Sequence, residues 1–453
     1  MDEAEAIARE HGLKSVLFEI YHAELTPAVS SHDTSGAMKA FEKLRGVLNP
    51  ARRMDVAYFR FQESYIHALQ GRPLEAIAAA GEAASIGREV GVPAMQMPHF
   101  LVRHAITYLE AGDVETALAR YDEAIDLATG VDRRNFVLQR DLVRAFAELQ
   151  QGRNDAAANR LREALAAARE YRYRGFLRHV PHVVAPLLGL ALERGIETDF
   201  VREVIRERQL AAPSPDTPDW PWPIAIRTLG EFVIHRHGEP LVSKGKAQKK
   251  PLDLLKALVA HGGRNVDAAM LTALLWPDAE GDVAKTSFDS TLHRLRKLID
   301  VESALVLAEG KLSFNPTVVW LDTWAFESAL DATPPRPAAA LGLYRGHFLG
   351  LESAATWALP LRDRLQAKLS RSVLAEGQRL EARGEFAAAR ALYQRTLEVD
   401  NLAEAIYRRL MICQRELGDP AGALTTYRRC RELLSIVLNR QPTSETESVR
   451  ASL

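Results

Sequence analysis

The stretch DVAKTSFDSTLHRLRKLID, residues 282–300, decides the fold of the region around it. It begins with Asp282, a residue type that favours the N-cap of a helix, and it contains neither glycine nor proline. At about 100° per residue, one side of such a helix collects the residues that can face a core. These are Ala284, Phe288, Thr291, Leu292, Leu295 and Ile299. We therefore predict an amphipathic helix over residues 282–300.

The opposite side of this helix is polar and mostly cationic. It presents Thr286, Ser290, His293 and Lys297, with Asp289 and Arg294 at its edges. Short hydrogen-bonding groups beside cations can contact both base edges and phosphates of DNA. An ordinary amphipathic surface helix is the alternative for this stretch alone, and the flanking sequence favours the first interpretation.

The flanking residues predict a small α+β domain. Alternation of apolar and polar residues indicates short strands at 224–228 and 232–235, with a turn at His237-Gly238. A helix beginning near Pro251 and a second one over 268–275, capped by Asp267, precede the 282–300 helix. A hairpin over 305–314, turned at Glu309-Gly310, and a strand at 318–321 follow it. This order of elements predicts a winged helix-turn-helix with an N-terminal sheet.

Residues 1–210 predict helical repeats. The phrases SGAMKAF, GRPLEAI, GDVETAL and GRNDAAA recur, and their glycines, at positions 36, 71, 112 and 152, lie 35, 41 and 40 residues apart. Each glycine is predicted to take the left-handed conformation that ends the first helix of a pair. Stacked helix pairs leave a concave surface for a ligand or partner, and a spacer that binds nothing is the alternative.

A second helical region follows the central domain. AARALYQRTLEVD and GALTTYRRCRELL repeat in register 34 residues apart, so that Gly384 matches Gly418 and Tyr393 matches Tyr427. Between 211 and 223 lies AAPSPDTPDWPWP, a proline-rich linker whose Trp220 and Trp222 are expected to dock on a neighbouring domain. We predict a mainly α protein with two helical-repeat domains flanking a central winged helix-turn-helix. The predicted segments are 1–210, the linker 211–223, the winged helix-turn-helix 224–322, the second repeat domain 323–442 and a C-terminal tail 443–453.

The composition limits the class of protein. The chain has 453 residues, a formal net charge of −1 and two cysteines, Cys413 and Cys430, without metal-ligand spacing. No apolar run approaches the roughly 20 residues of a membrane span, and nucleotide-binding, protease and esterase motifs are absent. We therefore expect a cytoplasmic protein that is not an enzyme, with no membrane partner, metal or cofactor.

The candidate DNA contacts fall into two groups. Residues expected to face bases are Thr286, Asp289, Ser290, His293 and Arg294. Residues expected to contact phosphates are Lys244, Lys246, Lys249, Lys250, Lys285, Arg296, Lys297 and Lys311. A solvated lysine run is the alternative for 244–250, and residues 224–322 are nearly neutral, with 13 basic and 12 acidic residues. A metal site at His293 is disfavoured because no second ligand follows it three or four residues later.

Several phrases carry a family resemblance. IRTLGEF, KAQKKPLDLLKALV, LLWPDAEGD, STLHRLRKLI and LAEGKLSFNP resemble the DNA-binding domain of SARP-type bacterial activators, relatives of OmpR. The 34-residue repeat resembles the bacterial transcriptional activator domain (BTAD) that follows it in those proteins. Residues 1–210 resemble, in architecture only, the tetratricopeptide (TPR) repeats of MalT-type STAND regulators. The closer resemblance covers about residues 224–440.

The resemblance implies a bacterial regulator that activates transcription. The third helix of the winged helix-turn-helix would enter the major groove of promoter DNA, and the hairpin would touch the adjacent backbone or minor groove. The implied partners are double-stranded promoter DNA, RNA polymerase, a second copy in a dimer or tandem arrangement, and a small molecule or protein on the N-terminal repeats. Relatives of this size carry an ATPase upstream of their repeats, so we expect either a longer natural protein or a relative without it. The alternative function is a helical-repeat scaffold whose winged helix contacts proteins.

Overall fold

The computed structural model describes residues 2–30, 33–241, 248–279, 281–350 and 356–453. The chain divides into two compact units, Met1–Pro213 and Ser214–Leu453. Its secondary structure is mainly α-helical, with short strands in the middle of the chain, which confirms the predicted fold class.

The first unit consists of helices that pack in consecutive pairs, α2 with α3 through α10 with α11. Buried alanines on the second helix of a pair, as along 76–84, allow the close approach that the sequence predicts. The helices are α1 Asp2–Glu10, α2 Lys14–Ser30, α3 Thr34–Val47, α4 Arg53–Leu69, α5 Pro73–Val90, α6 Met97–Glu110, α7 Val114–Leu127, α8 Gly130–Gln150, α9 Asn154–Glu170, α10 Pro181–Glu193 and α11 Thr198–Glu207.

Three of the four predicted glycine turns are confirmed. Gly71, Gly112 and Gly152 have φ of +68°, +84° and +73° and follow the ends of α4, α6 and α8. The prediction for Gly36 is wrong, because this residue lies in the first turn of α3 and its N–H donates to the Asp33 carboxylate at 2.9 Å. The phrase around Gly36 thus marks an Asp-capped helix start and not the end of a helix.

The half-buried His104 gives the first unit a predicted pH dependence. Burial, helped by Arg120 and Arg88, lowers the pKa of His104 to about 4. Between pH 6.5 and 4 the unfolded chain therefore binds a proton at this residue that the folded unit does not, so stability falls as the pH falls through this window. We expect this residue to lower the free energy of unfolding by roughly 1–2 kcal/mol across this window, a value that allows for its partial exposure.

Thermal unfolding between pH 7 and 4 checks this expectation. The variant His104→Gln should show a shallower loss of Tm with falling pH, with part of the remainder due to His22 and His67, whose pKa values are also lowered by burial. An identical pH profile in the variant would contradict it.

The second unit begins with two small sheets and three helices. Its elements up to residue 321 are β1 Ile224–Arg227, β2 Val233–Arg236, β3 Glu239–Pro240, α12 Lys249–Ala260, β4 Val266–Asp267, α13 Ala268–Leu275, α14 Gly281–Ile299, β5 Leu305–Ala308, β6 Lys311–Phe314 and β7 Val319–Leu321. The first sheet has the order β3-β2-β1-β7, with β1 antiparallel to β2 and parallel to β7; the second has the order β4-β6-β5.

The local signals in this region are confirmed with one exception. His237 and Gly238, and Glu309 and Gly310, have positive φ at the predicted turns. The Asp267 carboxylate caps α13 by accepting from the N–H groups of the first turn. Asp282 is not an N-cap residue, because α14 begins at Gly281 and Asp282 lies in its first turn. A carboxylate there still interacts favourably with the helix dipole. The sequence therefore located the start of the helix correctly, but Asp282 acts in the first turn and not as the N-cap.

Helices occupy the remainder of the second unit. They are α15 Asp322–Asp331, α16 Pro337–Leu343, α17 Leu359–Ala382, α18 Phe386–Val399, α19 Glu404–Glu416, α20 Pro420–Leu438 and α21 Ser444–Ala451, with a 3-10 turn at Thr356–Ala358. Gly384 and Gly418 both have φ of +77°, and Tyr393 and Tyr427 are both buried, as the 34-residue register predicts.

The ends of this unit are more ordered than the sequence indicates. In the predicted linker, the carbonyl of Pro215 accepts from Trp320 Nε1 at 2.7 Å, and Trp220 is buried. In the predicted tail, α21 is held by a bond from Tyr427 Oη to Glu447 Oε1 and by the Thr443 N–H, which donates to Glu404 at 2.7 Å. Both stretches are thus part of the packed unit.

Gly377, in the middle of α17, leaves room for the Tyr393 ring. A methyl group at this position would overlap the phenol ring, whose hydroxyl donates to Glu381 Oε1 at 2.7 Å. We expect Gly377→Ala to destabilise the second unit by about 1–3 kcal/mol through overpacking, although alanine normally favours a helix. Denaturant unfolding measures this change. The matched control is Gly342→Ala in α16, where the added methyl meets only Arg395 at 4.0 Å and should not destabilise.

Candidate nucleic-acid interface

The helix α14 is anchored by the face that the sequence predicts. Ala284, Phe288, Thr291, Leu292, Leu295 and Ile299 are all buried. The helix packs on α12 and α13, and Phe288, Leu292, Leu295 and Ile299 belong to the core of the second unit. The rotation of α14 about its axis is therefore fixed by its apolar side chains, and this fixes what its other side presents.

The outward side of α14 collects eight of the predicted DNA contacts. Lys285, Thr286, Asp289, Ser290, His293, Arg294, Arg296 and Lys297 are all exposed. We call these eight residues the α14 outer face. A single helix carries the whole set, so no long-range folding is needed to bring its members together. Cations and short polar groups alternate along it, with Asp289 as its one carboxylate.

Few of these side chains are held by the rest of the protein. In the part of the chain that the structure describes, Arg294 makes only long hydrogen bonds within its own helix, to the Ser290 carbonyl at 3.3 Å and to Thr291 Oγ1 at 3.4 Å. Among the described residues, Lys285 and Lys297 form no ion pair. These groups can therefore turn toward a ligand while breaking few interactions within the protein.

Arg296 is exposed, as predicted for a phosphate contact, and it also makes a contact that the sequence did not indicate. Its Nη2 donates to the carbonyl of Leu305 at 3.2 Å, which connects α14 to the hairpin formed by β5 and β6. The side chain is still exposed, so its charge remains available to a phosphate while one N–H is occupied. Lys311, at the start of β6, is exposed on the same hairpin.

Two of the four lysines in the predicted run lie within the described residues. Lys244 and Lys246 lie outside the described residues. Lys249 is exposed in the first turn of α12. Lys250 is also exposed, but its Nζ donates to the Leu275 carbonyl at 2.8 Å and lies 5.3 Å from the Trp276 ring centroid. Lys250 thus caps the C-terminal end of α13, a role that its sequence neighbourhood did not indicate.

An ion pair that the sequence did not reveal holds the other end of α14. Asp300 ends the helix with φ of +54°, and its carboxylate lies 3.0 Å from the Arg236 guanidinium on β2. Both partners are exposed, so we expect a small contribution to stability. The pair joins residues 64 positions apart, and no local pattern in the chain connects them.

Asp322 joins the α14-bearing segment to the helices that follow it. The side chain is 1% exposed, and it accepts from the Thr228 N–H at 2.5 Å, Thr228 Oγ1 at 2.8 Å and the Leu229 N–H at 2.7 Å. Burial raises the pKa of the Asp322 carboxyl, and these hydrogen bonds oppose that shift. The carboxylate therefore satisfies donors at the end of β1 that would otherwise be buried without partners.

The same loop is held from its other side. The Leu349 N–H donates to the Thr228 carbonyl at 2.7 Å, and the Gly230 N–H donates to the His347 carbonyl at 3.1 Å. Gly230 has φ of +109°, and a Cβ added to Gly346 would lie 3.2 Å from the Gly230 Cα. Residues 224–322 and the helices after them consequently form one continuous unit, although the sequence suggested two domains.

Within the described ranges, no group of three or more potential ligands could hold a metal ion. None of the helices there is long and apolar enough to cross a membrane.

Comparison with known proteins connects the second unit to a family. Residues 326–453 match the family described as "Bacterial transcriptional activator domain", which confirms the resemblance of that part and supports a bacterial transcriptional regulator. No curated protein matches the chain.

Two solved structures show partial likeness. EmbR of Mycobacterium tuberculosis in complex with a low-affinity phosphopeptide is 20% identical, with a TM-score of 0.38 over 51% of this chain and 64% of that one. The chain therefore spans less than two thirds of EmbR. Naa15/Naa10 bound to HypK-THB is 14% identical, with a TM-score of 0.23 over 90% of this chain and 67% of that one. Likenesses at these TM-scores define neither the fold nor the function.

Proposed function

We propose that the chain is a bacterial DNA-binding transcriptional activator of the SARP type, in which residues 224–322 form a winged helix-turn-helix that reads promoter DNA. The observation that carries the proposal is the α14 outer face, because eight predicted contacts are exposed on one helix whose opposite side is fixed in the core. A helix presented in this way fits the major groove, which is about 12 Å wide.

The residues of the interface divide by chemistry. Arg294 can form a bidentate pair with guanine, and Ser290 and His293 can bond base edges beside it. Thr286 and Asp289, near the helix start, complete the base-facing group, and Asp289 would accept from cytosine N4. Phosphate contacts are assigned to Lys249, Lys285, Arg296, Lys297 and Lys311, with Lys244, Lys246 and Lys250 as further candidates.

The helices after residue 322 would transmit binding to transcription. We propose that the 326–453 region contacts RNA polymerase, and that two copies bind as a dimer or in tandem. Because Asp322 and the 345–350 loop hold both parts together, DNA bound at α14 would orient this region relative to the promoter. The N-terminal helices would bind a small-molecule or protein ligand. The protein would act in the cytoplasm and would not be an enzyme.

A salt-series titration of the full chain on DNA upstream of its own and neighbouring genes tests the proposal. We expect a site whose binding survives competitor DNA and whose log binding constant falls linearly with log salt concentration. Lys297→Gln should weaken binding on all sequences alike and reduce the salt slope by about 1. Lys39→Gln, an exposed lysine of α3, is the control and should change neither. Weak binding that is equal on every sequence would contradict the proposal.

One observation favours a second candidate, a scaffold whose winged helix contacts proteins. Val283, Val306 and Leu307, on α14 and the hairpin, are 66%, 45% and 38% exposed. Apolar groups at these positions suit a protein surface as well as the sugar edge of a groove. Under the scaffold interpretation, the titration shows no preferred site, and Lys297→Gln leaves the function of the chain unchanged.

A further inference from the structure

We propose that the exposed side of α20 is a docking surface for an acidic amphipathic helix of another protein. The surface consists of Leu424, Arg428, Arg431, Ser435, Ile436 and Leu438, and we call it the α20 surface. It is separate from the α14 outer face, so the inference does not depend on DNA binding.

The last turn of α20 is unusually apolar for a segment that is exposed to water. Ile436, Val437 and Leu438 are consecutive and 73%, 55% and 43% exposed, and Leu424 is 37% exposed. The inner side of the same helix packs in the core, where Cys430 and Leu434 are buried. Neighbouring exposed apolar residues on a protein surface commonly mark an interaction site, so these residues indicate a partner.

Part of the surface forms an open depression. A cavity of about 510 Å³ is lined by Arg428, Arg431, Glu432, Ser435, Ile436 and Gln441. The chain reverses at Asn439, which has φ of +50°, and the Arg440 N–H donates back to the Leu434 carbonyl at 3.1 Å. This reversal brings Gln441 to the cavity wall, which leaves space for one large side chain of a partner beside Ile436.

The neighbouring helix does not cover this surface. The α21 helix packs mainly on α19, and its Glu447 accepts from Tyr427, a residue on the buried side of α20 that does not line the cavity. Ile436 to Leu438 remain exposed with α21 in place. The last helix of the unit therefore does not serve as the cap.

The charge of the surface selects the partner. Arg428, Arg429 and Arg431 are exposed and Glu432 is the acidic residue among them. Within the described ranges, Arg428 and Arg431 form no ion pair, and the Arg431 guanidinium lies 5.9 Å from the Tyr427 ring centroid. A second copy applying the same surface would bring these arginines together, and like charges disfavour such a pairing. A helix with an apolar stripe flanked by carboxylates complements both features.

Fluorescence anisotropy of two labelled synthetic peptides with the full chain tests the inference. Both peptides are helices of about 18 residues, held helical by a side-chain staple because short helices are marginal in water. They share one leucine stripe and differ only in glutamate or lysine on its flanks. We expect saturable binding of the glutamate peptide, weakened by salt, and at least about tenfold weaker binding of the lysine peptide.

Variants locate the binding. The double variant Ile436→Ser with Leu438→Ser should weaken the binding of the glutamate peptide by about tenfold or more. Arg428→Glu with Arg431→Glu should reverse the preference between the peptides. The matched controls are Leu359→Ser and Arg371→Glu, an exposed leucine and an exposed arginine of α17, which should change nothing. Circular dichroism confirms that each variant is folded.

Three results would overturn the inference. The first is equal binding of the two peptides, and the second is no saturable binding of either. The third is self-association of the unmodified chain, by sedimentation, that Ile436→Ser with Leu438→Ser abolishes, because a second copy would then be the occupant.

Discussion

Replacing His293 and Arg294 together by alanine is expected to weaken specific DNA binding by about 1–3 kcal/mol for each base that the protein no longer recognises. Both side chains are exposed on the α14 outer face, and neither supports the core beneath the helix. To reach a base, Arg294 must break two long hydrogen bonds within its helix, so binding costs the wild-type protein few internal interactions. The effect should appear at the preferred site and be small on competitor DNA, which would lower the specificity ratio.

Quantitative competition titrations of the variant and wild type measure this effect. Ser35→Ala with Lys39→Ala, two exposed residues on α3, is a control for a double truncation away from α14 and should leave both affinities unchanged. An unaltered preference for the site in the His293 and Arg294 variant would remove α14 as the base-reading element. Unfolding curves that coincide with wild type would exclude a loss of structure as the cause.

Asp322→Ala is expected to destabilise the second unit by about 3–5 kcal/mol, because it leaves a cluster of buried donors without an acceptor. The carboxylate accepts two main-chain N–H groups and one hydroxyl at the end of β1, and water cannot replace it at 1% exposure. The same substitution removes a link between the first sheet and α15. Weakening of the junction should therefore accompany the loss of stability.

Urea unfolding of the full chain, followed through the transition of the second unit, measures the change. Asp322→Asn keeps one acceptor oxygen for the N–H groups, so its free energy of unfolding should fall less than that of the alanine variant. Asp331→Ala, at the exposed end of α15, provides a control, since its carboxylate only pairs with Lys368 at the surface. A loss below about 1 kcal/mol for Asp322→Ala, the typical size for an exposed position, would show that the junction does not depend on this carboxylate.

The sequence predicted the structural elements of the site well, because those signals are local. The buried side of α14 depends on a helical period within nineteen residues, and it emerged with all six residues correct. The hairpin turn at Glu309 and Gly310 and the cap at Asp267 likewise depend on residues within a few positions of each other. Gly36 and Asp282 were placed in the right regions and given the wrong roles, since a cap depends on where the helix starts.

Interactions across long sequence separations were not predictable. Lys250 contacts the carbonyl of Leu275, and Asp322 accepts from Thr228, 94 residues away. Residues before and after 322 also share one core, which the sequence does not reveal, because a change in element type is visible in the sequence while a shared core is not. The order of the final residues in α21 similarly depends on Tyr427 and Glu404 of other helices.

By itself the sequence determined the mainly α class, the order of the elements in the central segment, and the residues that α14 turns outward. These follow from periodicity, capping and turn preferences, each of which acts over a few residues. Only the tertiary structure decided that Lys250 and Arg296 hold neighbouring elements and that the α20 surface remains uncovered. It also decided that the segment carrying α14 is continuous with the helices after it. Burial and hydrogen-bond satisfaction bring together distant parts of the chain, and their outcome depends on the complete packing of the core.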